Sequence, residues 1–152
     1  MAAGHRKPTA QDDQGGILKT ANRLSGIIDS LSTKPDTRGL RIGLFGARSG
    51  AAVAMIAAAL RPTQVHAVMS RGGRLDLAHE MLADVQAPTL MLVGSKDHAV
   101  IDHNHKAGEK MQCKPMIELI QGASHLFGEP GKIEQVASIS YLWFQRTLAM
   151  CG

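Results

Sequence analysis

Leu40-Arg-Ile-Gly-Leu-Phe-Gly-Ala-Arg-Ser-Gly50, followed by the small apolar run Ala51 to Leu60, decides the fold. Leu40 to Phe45 predicts a short buried strand, Gly46 to Gly50 a tight bend, and Ala51 to Leu60 an alanine-rich helix that Pro62 stops. Small residues stand two before and two after Arg48, the spacing of a nucleophile elbow, where they let a strand turn sharply into a helix. The centre of such a bend needs a serine as attacking group, and here it holds Arg48. A second frame, Ala47-Arg-Ser-Gly-Ala51, centres the bend on Ser49 with alanines in place of both glycines. Alanine resists the backbone angles that glycine accepts, and a one-residue slip reverses the facing of the preceding strand.

Upstream, residues 1–16 (MAAGHRKPTAQDDQGG) carry little to bury and predict a flexible tail, leaving residues 17–152 as one domain. Ile17, Leu18, Leu24, Ile27, Ile28 and Leu31 recur at helical spacing, and Lys34 to Gly39 supplies turn residues. Downstream, strands are predicted at Val65 to Ser70, Thr89 to Val93 and Met116 to Ile120. Between them, Asp76 is read as the cap of a helix reaching Ala83, and Asp102 as the cap of one reaching Met111. A last helix over Lys132 to Leu148 is expected to bury Ile133, Val136, Ala137, Ser140, Tyr141 and Phe144. Strands alternating with helices predict an α/β fold, a parallel sheet of about four strands with helices on both faces in three layers.

Composition narrows the function. Hydrophobic residues make up 44% of the chain but aromatics only 3%, so the core is aliphatic and a base-stacking surface for single-stranded nucleic acid is not expected. The net charge of +4 is scattered along the chain, which reads as a solvated surface and not a nucleic-acid patch. Cys113 and Cys151 form neither a disulfide framework nor a metal-type spacing. His103 and His105, near His98 and Asp102, are two apart and point to different sides of a helix, so no metal or other cofactor is expected. The first residues are polar, no signal peptide is visible, and the longest apolar run is too short to span a membrane; a cytoplasmic protein is expected.

In a parallel α/β sheet, chemistry gathers at the carboxyl ends of the strands. Three marked loops fall there: Gly46 to Gly50, Gly94 to Asp97 and Gln121 to His125. The chain order of bend, acid and histidine is that of an α/β-hydrolase triad. With Pro35-Asp-Thr-Arg-Gly39, Ile42-Gly-Leu-Phe-Gly-Ala47, Ser70-Arg-Gly-Gly-Arg74, Ala87-Pro-Thr-Leu90, Val93-Gly-Ser-Lys-Asp97 and Gly122-Ala-Ser-His-Leu-Phe127, the chain resembles the dienelactone hydrolase-like branch of the α/β-hydrolases. It resembles especially members related to hydrolase domains associated with phosphoribosyltransferases.

The resemblance implies hydrolysis of carboxylic esters or lactones through an acyl-enzyme, with a small ester or acyl compound as substrate. It places Arg48 at the nucleophile position, Asp97 as the acid and His125 as the base, with Ser49 as a shifted nucleophile in the second frame. Arg48 cannot attack a carbonyl, because a guanidinium stays protonated and has no usable lone pair. The resemblance also implies that the early strands of the fold, with one oxyanion-hole amide, are absent, making this a truncated α/β-hydrolase fold; losing one such donor typically costs ~10²–10³ in rate. Weak or lost turnover is therefore expected. The rival expectation is a non-catalytic module, a protein-interaction domain or one in which Arg48, Arg71 and Arg74 hold a carboxylate or phosphate at a helix N-terminus; a fragment of a longer hydrolase is a third. A strand at Leu40 to Phe45 without its neighbour would have an open edge, through which a homo-oligomer could form.

Overall fold

The structure, a computed structural model, describes residues 10–149, with side chains from residue 15 onward. Four parallel strands form one sheet in the order β1-β2-β3-β4: β1 (Ile42–Ala47), β2 (Val65–Arg71), β3 (Thr89–Gly94) and β4 (Met116–Ile120). Around it lie α1 (Ala10–Thr33), α2 (Ser49–Leu60), a 3₁₀ segment (Leu75–Asp84), α3 (His98–Lys110) and α4 (Lys132–Ala149).

Alternation along the strands separates two cores. Leu44, Val68 and Met91 point to the face covered by α2, the 3₁₀ segment and α3, with α1 packed on α2. Ala67, Met69, Leu90 and Leu92 point to the opposite face, where Val136 and Trp143 of α4 meet them. Helix α2 lies between the sheet and α1 and is buried nearly all round, at Ala51, Ala52, Ala54, Met55, Ile56, Ala57, Ala58 and Ala59. Its small side chains allow close approach on both sides. The three-layer α/β arrangement of a parallel sheet with helices on both faces is therefore present.

Several boundaries differ from the sequence reading. Helix α1 begins at Ala10, so residues 10–16 belong to it and not to a flexible tail; residues 1–9 lie outside the described residues. Strand β1 starts two residues late and runs to Ala47, because its pairing with β2 continues through Ala47 and Arg71. Helix α3 starts at His98 with Asp97 in the capping position; Asp102 sits inside it and pairs with Lys106 one turn on, at 3.1 Å. Asp76 likewise is not at the capping position, which Arg74 takes: it lies in the first turn of a 3₁₀ segment kinked at His79, and Arg74 grips it with two hydrogen bonds of 3.0 and 3.1 Å. On α4 the buried line runs through Val136, Ile139, Trp143 and Phe144. Ile133, Ala137 and Tyr141 face outward instead, because only this flank of the helix meets the sheet, with Phe144 lying against Gly43. No helix among the described residues is long and apolar enough to cross a membrane.

Candidate functional site

The bend between β1 and α2 turns on one residue. Arg48 has φ 53° and ψ −122°, a conformation that costs a non-glycine residue on the order of 1–3 kcal/mol and persists only where the surroundings enforce it. They do so from both sides. The Arg48 amide donates to the Arg71 carbonyl at the end of β2 (3.2 Å), while the Arg48 carbonyl accepts from the amides of Ala51 (3.1 Å) and Arg74 (3.0 Å). Gly46 makes the turn sterically possible, since a Cβ there would overlap the Gly50 carbonyl; at Gly50 itself a Cβ would meet nothing. Ser49 is the first residue of α2 and is exposed. The frame centred on Ser49 is not the one formed, because the left-handed φ belongs to Arg48.

Asp97 and His125 arrive on the loops after β3 and β4, and those loops are tied together. Ser95 and Lys96 donate their amides to the carbonyls of Ile120 (3.0 Å) and Ala123 (3.1 Å). The Ser95 hydroxyl accepts from the Gly122 amide at 2.8 Å. Gly94 permits this closeness, as any Cβ there would overlap the Ala123 carbonyl. The result is a hydrogen bond of 2.6 Å between His125 Nδ1 and Asp97 Oδ2. Asp97 is in the N-cap position of α3 yet makes no side-chain cap bond, and its carboxylate turns to the histidine instead. Its side chain is 13% exposed against 44% for His125, so the acid is sheltered while the ring reaches solvent.

The sequence reading missed Glu129. Both its carboxylate oxygens accept from the Ser124 amide, each at 3.1 Å, immediately before the histidine. Hydrogen bonds from the Ser124 side chain and backbone hold the Glu129 carboxyl below the usual glutamate value. The sequence signal was a carboxylate five residues after Ser124, within one Gly-flanked loop. Ser95 and Gly94 form the tie between the two loops, a role that their residue types alone do not signal.

Arg48, Ser49, Gly50, Val53, Arg74, Leu77 and His125 line one cleft of about 660 Å³, together with Gly16, Ile17 and Thr20 of α1. The cleft thus joins the bend to the histidine but not to Arg71, whose guanidinium lies over the Phe127 ring, 5.4 Å from its centroid. Arg74 is engaged with Asp76, and that hydrogen-bonded ion pair lowers the Asp76 pKa. Among the described residues, nothing accepts from the Arg48 guanidinium. No group of three or more His, Cys, Asp or Glu among them could hold a metal ion.

Comparison with known proteins identifies the fold and the family. A dienelactone hydrolase from Anabaena variabilis is 47% identical and superposes with a TM-score of 0.83, covering 87% of this chain and 61% of its own. A monoacylglycerol lipase from Paleococcus ferrophilus, at 17% identity and a TM-score of 0.68, covers 92% of this chain and 77% of its own and shares the fold alone. Mycobacterium tuberculosis proteins named "putative phosphoribosyl transferase" are 46% identical over 124 residues, or 82% of this chain, which spans only 28% of their length. The chain also spans less than two thirds of the Anabaena enzyme. The model of the dienelactone hydrolase family matches residues 8–150, from α1 through the bend, the acid and the histidine to α4, and the chain belongs to that family.

Proposed function

We propose that this chain has lost ester and lactone hydrolysis through an acyl-enzyme and uses the inherited cleft to hold a small carboxylate or phosphate anion. One observation carries the reading: the strained residue at the head of α2, where the family places its nucleophile, is Arg48. A guanidinium has no usable lone pair for attack, but it offers five donors to an anion. Ser49 stands one position into the helix, with its amide among those that lack an intrahelical acceptor. Those amides and Arg48, whose guanidinium has no acceptor among the described residues, make the bend end of the cleft cationic. The name carried by the mycobacterial relatives makes phosphate the first anion to try.

Two measurements test this. The purified protein should neither hydrolyse p-nitrophenyl acetate above the buffer rate nor gain mass from a fluorophosphonate; turnover that Ser49→Ala removes would instead establish Ser49 as nucleophile. Inorganic phosphate should shift the Ser49 and Gly50 amide resonances saturably, and Arg48→Met should abolish the shift. No shift in the wild-type protein refutes the anion reading.

The same chain has an open flank. Strand β1 ends the sheet, and Leu40 (65%) and Phe45 (50%) stand exposed beside it. We propose that two copies meet there edge to edge, since an unpaired apolar edge templates pairing with another chain.

A further inference from the structure

We infer that His125 acts as a general base on a carbon acid, with a small 2-oxo carboxylate as substrate and Arg48 as its anchor. This rests on the anion-holding reading of the same cleft and adds a reaction to it. The Asp97–His125 pair is built to fix one ring nitrogen. With Nδ1 at 2.6 Å from a sheltered carboxylate oxygen, which accepts, the pair favours the tautomer that carries its proton on Nδ1, and in that neutral ring Nε2 has the lone pair. The loop bonds from Ser95, Lys96 and Glu129 keep the ring in place. Such a base needs a proton to remove. In a hydrolase it takes the proton of the attacking hydroxyl, but the head of the bend here is a guanidinium, which does not give up its protons to a histidine.

What the cleft presents to that base is a guanidinium, which selects the substrate. A 2-oxo acid carries a carboxylate oxygen and a keto oxygen side by side on one edge, matching the planar fork of Arg48. When Nε2 takes a proton from the carbon beside the keto group, the C–H bond breaks and an N–H bond forms. The electron pair moves into a new C=C bond, and the C=O pair moves onto oxygen. The enolate oxygen then lies against Arg48, where preorganised positive charge stabilises it more than the starting ketone. Return of the proton to carbon closes the cycle with no oxidant or co-reactant; exchange of the Nε2 proton with solvent leaves isotope exchange as the visible trace. Holding Arg48 in a strained conformation fits this role, since strain that the surroundings over-determine gathers at functional sites.

Pyruvate is the smallest probe with these groups. In D₂O, the full chain should exchange the pyruvate methyl protons about 10²-fold faster than buffer, as followed by proton NMR. His125→Gln should return the rate to that of buffer, and Asp97→Asn should lower it while leaving the amide spectrum folded. Arg48→Met should raise the half-saturating pyruvate concentration about tenfold and also lower the maximal exchange rate, because Arg48 holds the enolate more tightly than the ketone. Exchange no faster than buffer, or exchange that survives His125→Gln, overturns the inference. The two readings separate cleanly: pyruvate that shifts the Ser49 and Gly50 amides without methyl exchange defeats the reaction alone. Pyruvate and phosphate that shift neither amide defeat both.

Discussion

The two faces of the sheet are finished to different degrees. On the α2 face, helix lies on helix on sheet, and Ala51, Ala52, Met55 and Ala57 have no exposed surface. On the α4 face a single helix covers the strands, and its outer residues, Tyr141 at 66% and Leu142 among them, stand in solvent. Phe45 emerges on that same face, alternating with the inward Leu44. The residues of the bend stand on the completed face, while the histidine loop leads into the sparser one. Rigidity is thus concentrated beneath Arg48, and openness lies beyond His125.

The sharpest way to break this contrast is to alter a sandwiched residue of α2 and an outward residue of α4 in turn. Met55→Ala should cost about 2–5 kcal/mol in urea unfolding, because the sandwiched site has little room to collapse. Leu142→Gln should change stability by no more than about 0.5 kcal/mol. Equal effects would mean that Leu142 is as closely packed as Met55.

The edge comes next. Sedimentation equilibrium at micromolar concentration should show self-association, and Phe45→Lys should shift the population towards monomer by charging the β1 flank. A wild-type protein that stays monomeric removes the proposed pairing.

A smaller effect tests the bend. Arg48→Gly should stabilise the fold by about 1 kcal/mol, since glycine accepts the left-handed φ that arginine resists. A loss of stability would show that the side chain contributes contacts outweighing the strain.

The smallest concerns Glu129. Its carboxyl is held below the ordinary value, so it supports the Ser124 turn above that value and releases it as the pH falls through the lowered one. The Ser124 amide resonance should therefore move in acid below about pH 4.3, with a midpoint under that of a free glutamate. Glu129→Gln should remove the transition; a midpoint at or above the free value contradicts the assignment.

Much of this was legible because the strands are continuous apolar runs bounded by Gly or Pro, with 3.6-residue patterns between them. The order of bend, acid and histidine was readable because each follows its own strand. The start of α1 was not, since residues 10–16 are polar and include Gly15 and Gly16, poor helix formers that tertiary context overrides. The buried line of α4 misled for another reason: Ile133 and Tyr141 are apolar residues on the flank of the helix that faces solvent and not the sheet. Asp102 looked like a cap by residue type alone. The helix begins earlier, at the acid that the site itself occupies.

The alanines of α2 have one more consequence. Burying alanine freezes no side-chain rotamers, whereas burying a long side chain can cost up to about 2 kcal/mol in lost freedom. The helix that follows Arg48 is therefore ordered at little entropic cost from its side chains, and it has few alternative packings into which it could relax. Heating should loosen the exposed flank of α4 well before it disturbs the pedestal of the bend. The strained peptide at Arg48 would then persist almost to global unfolding.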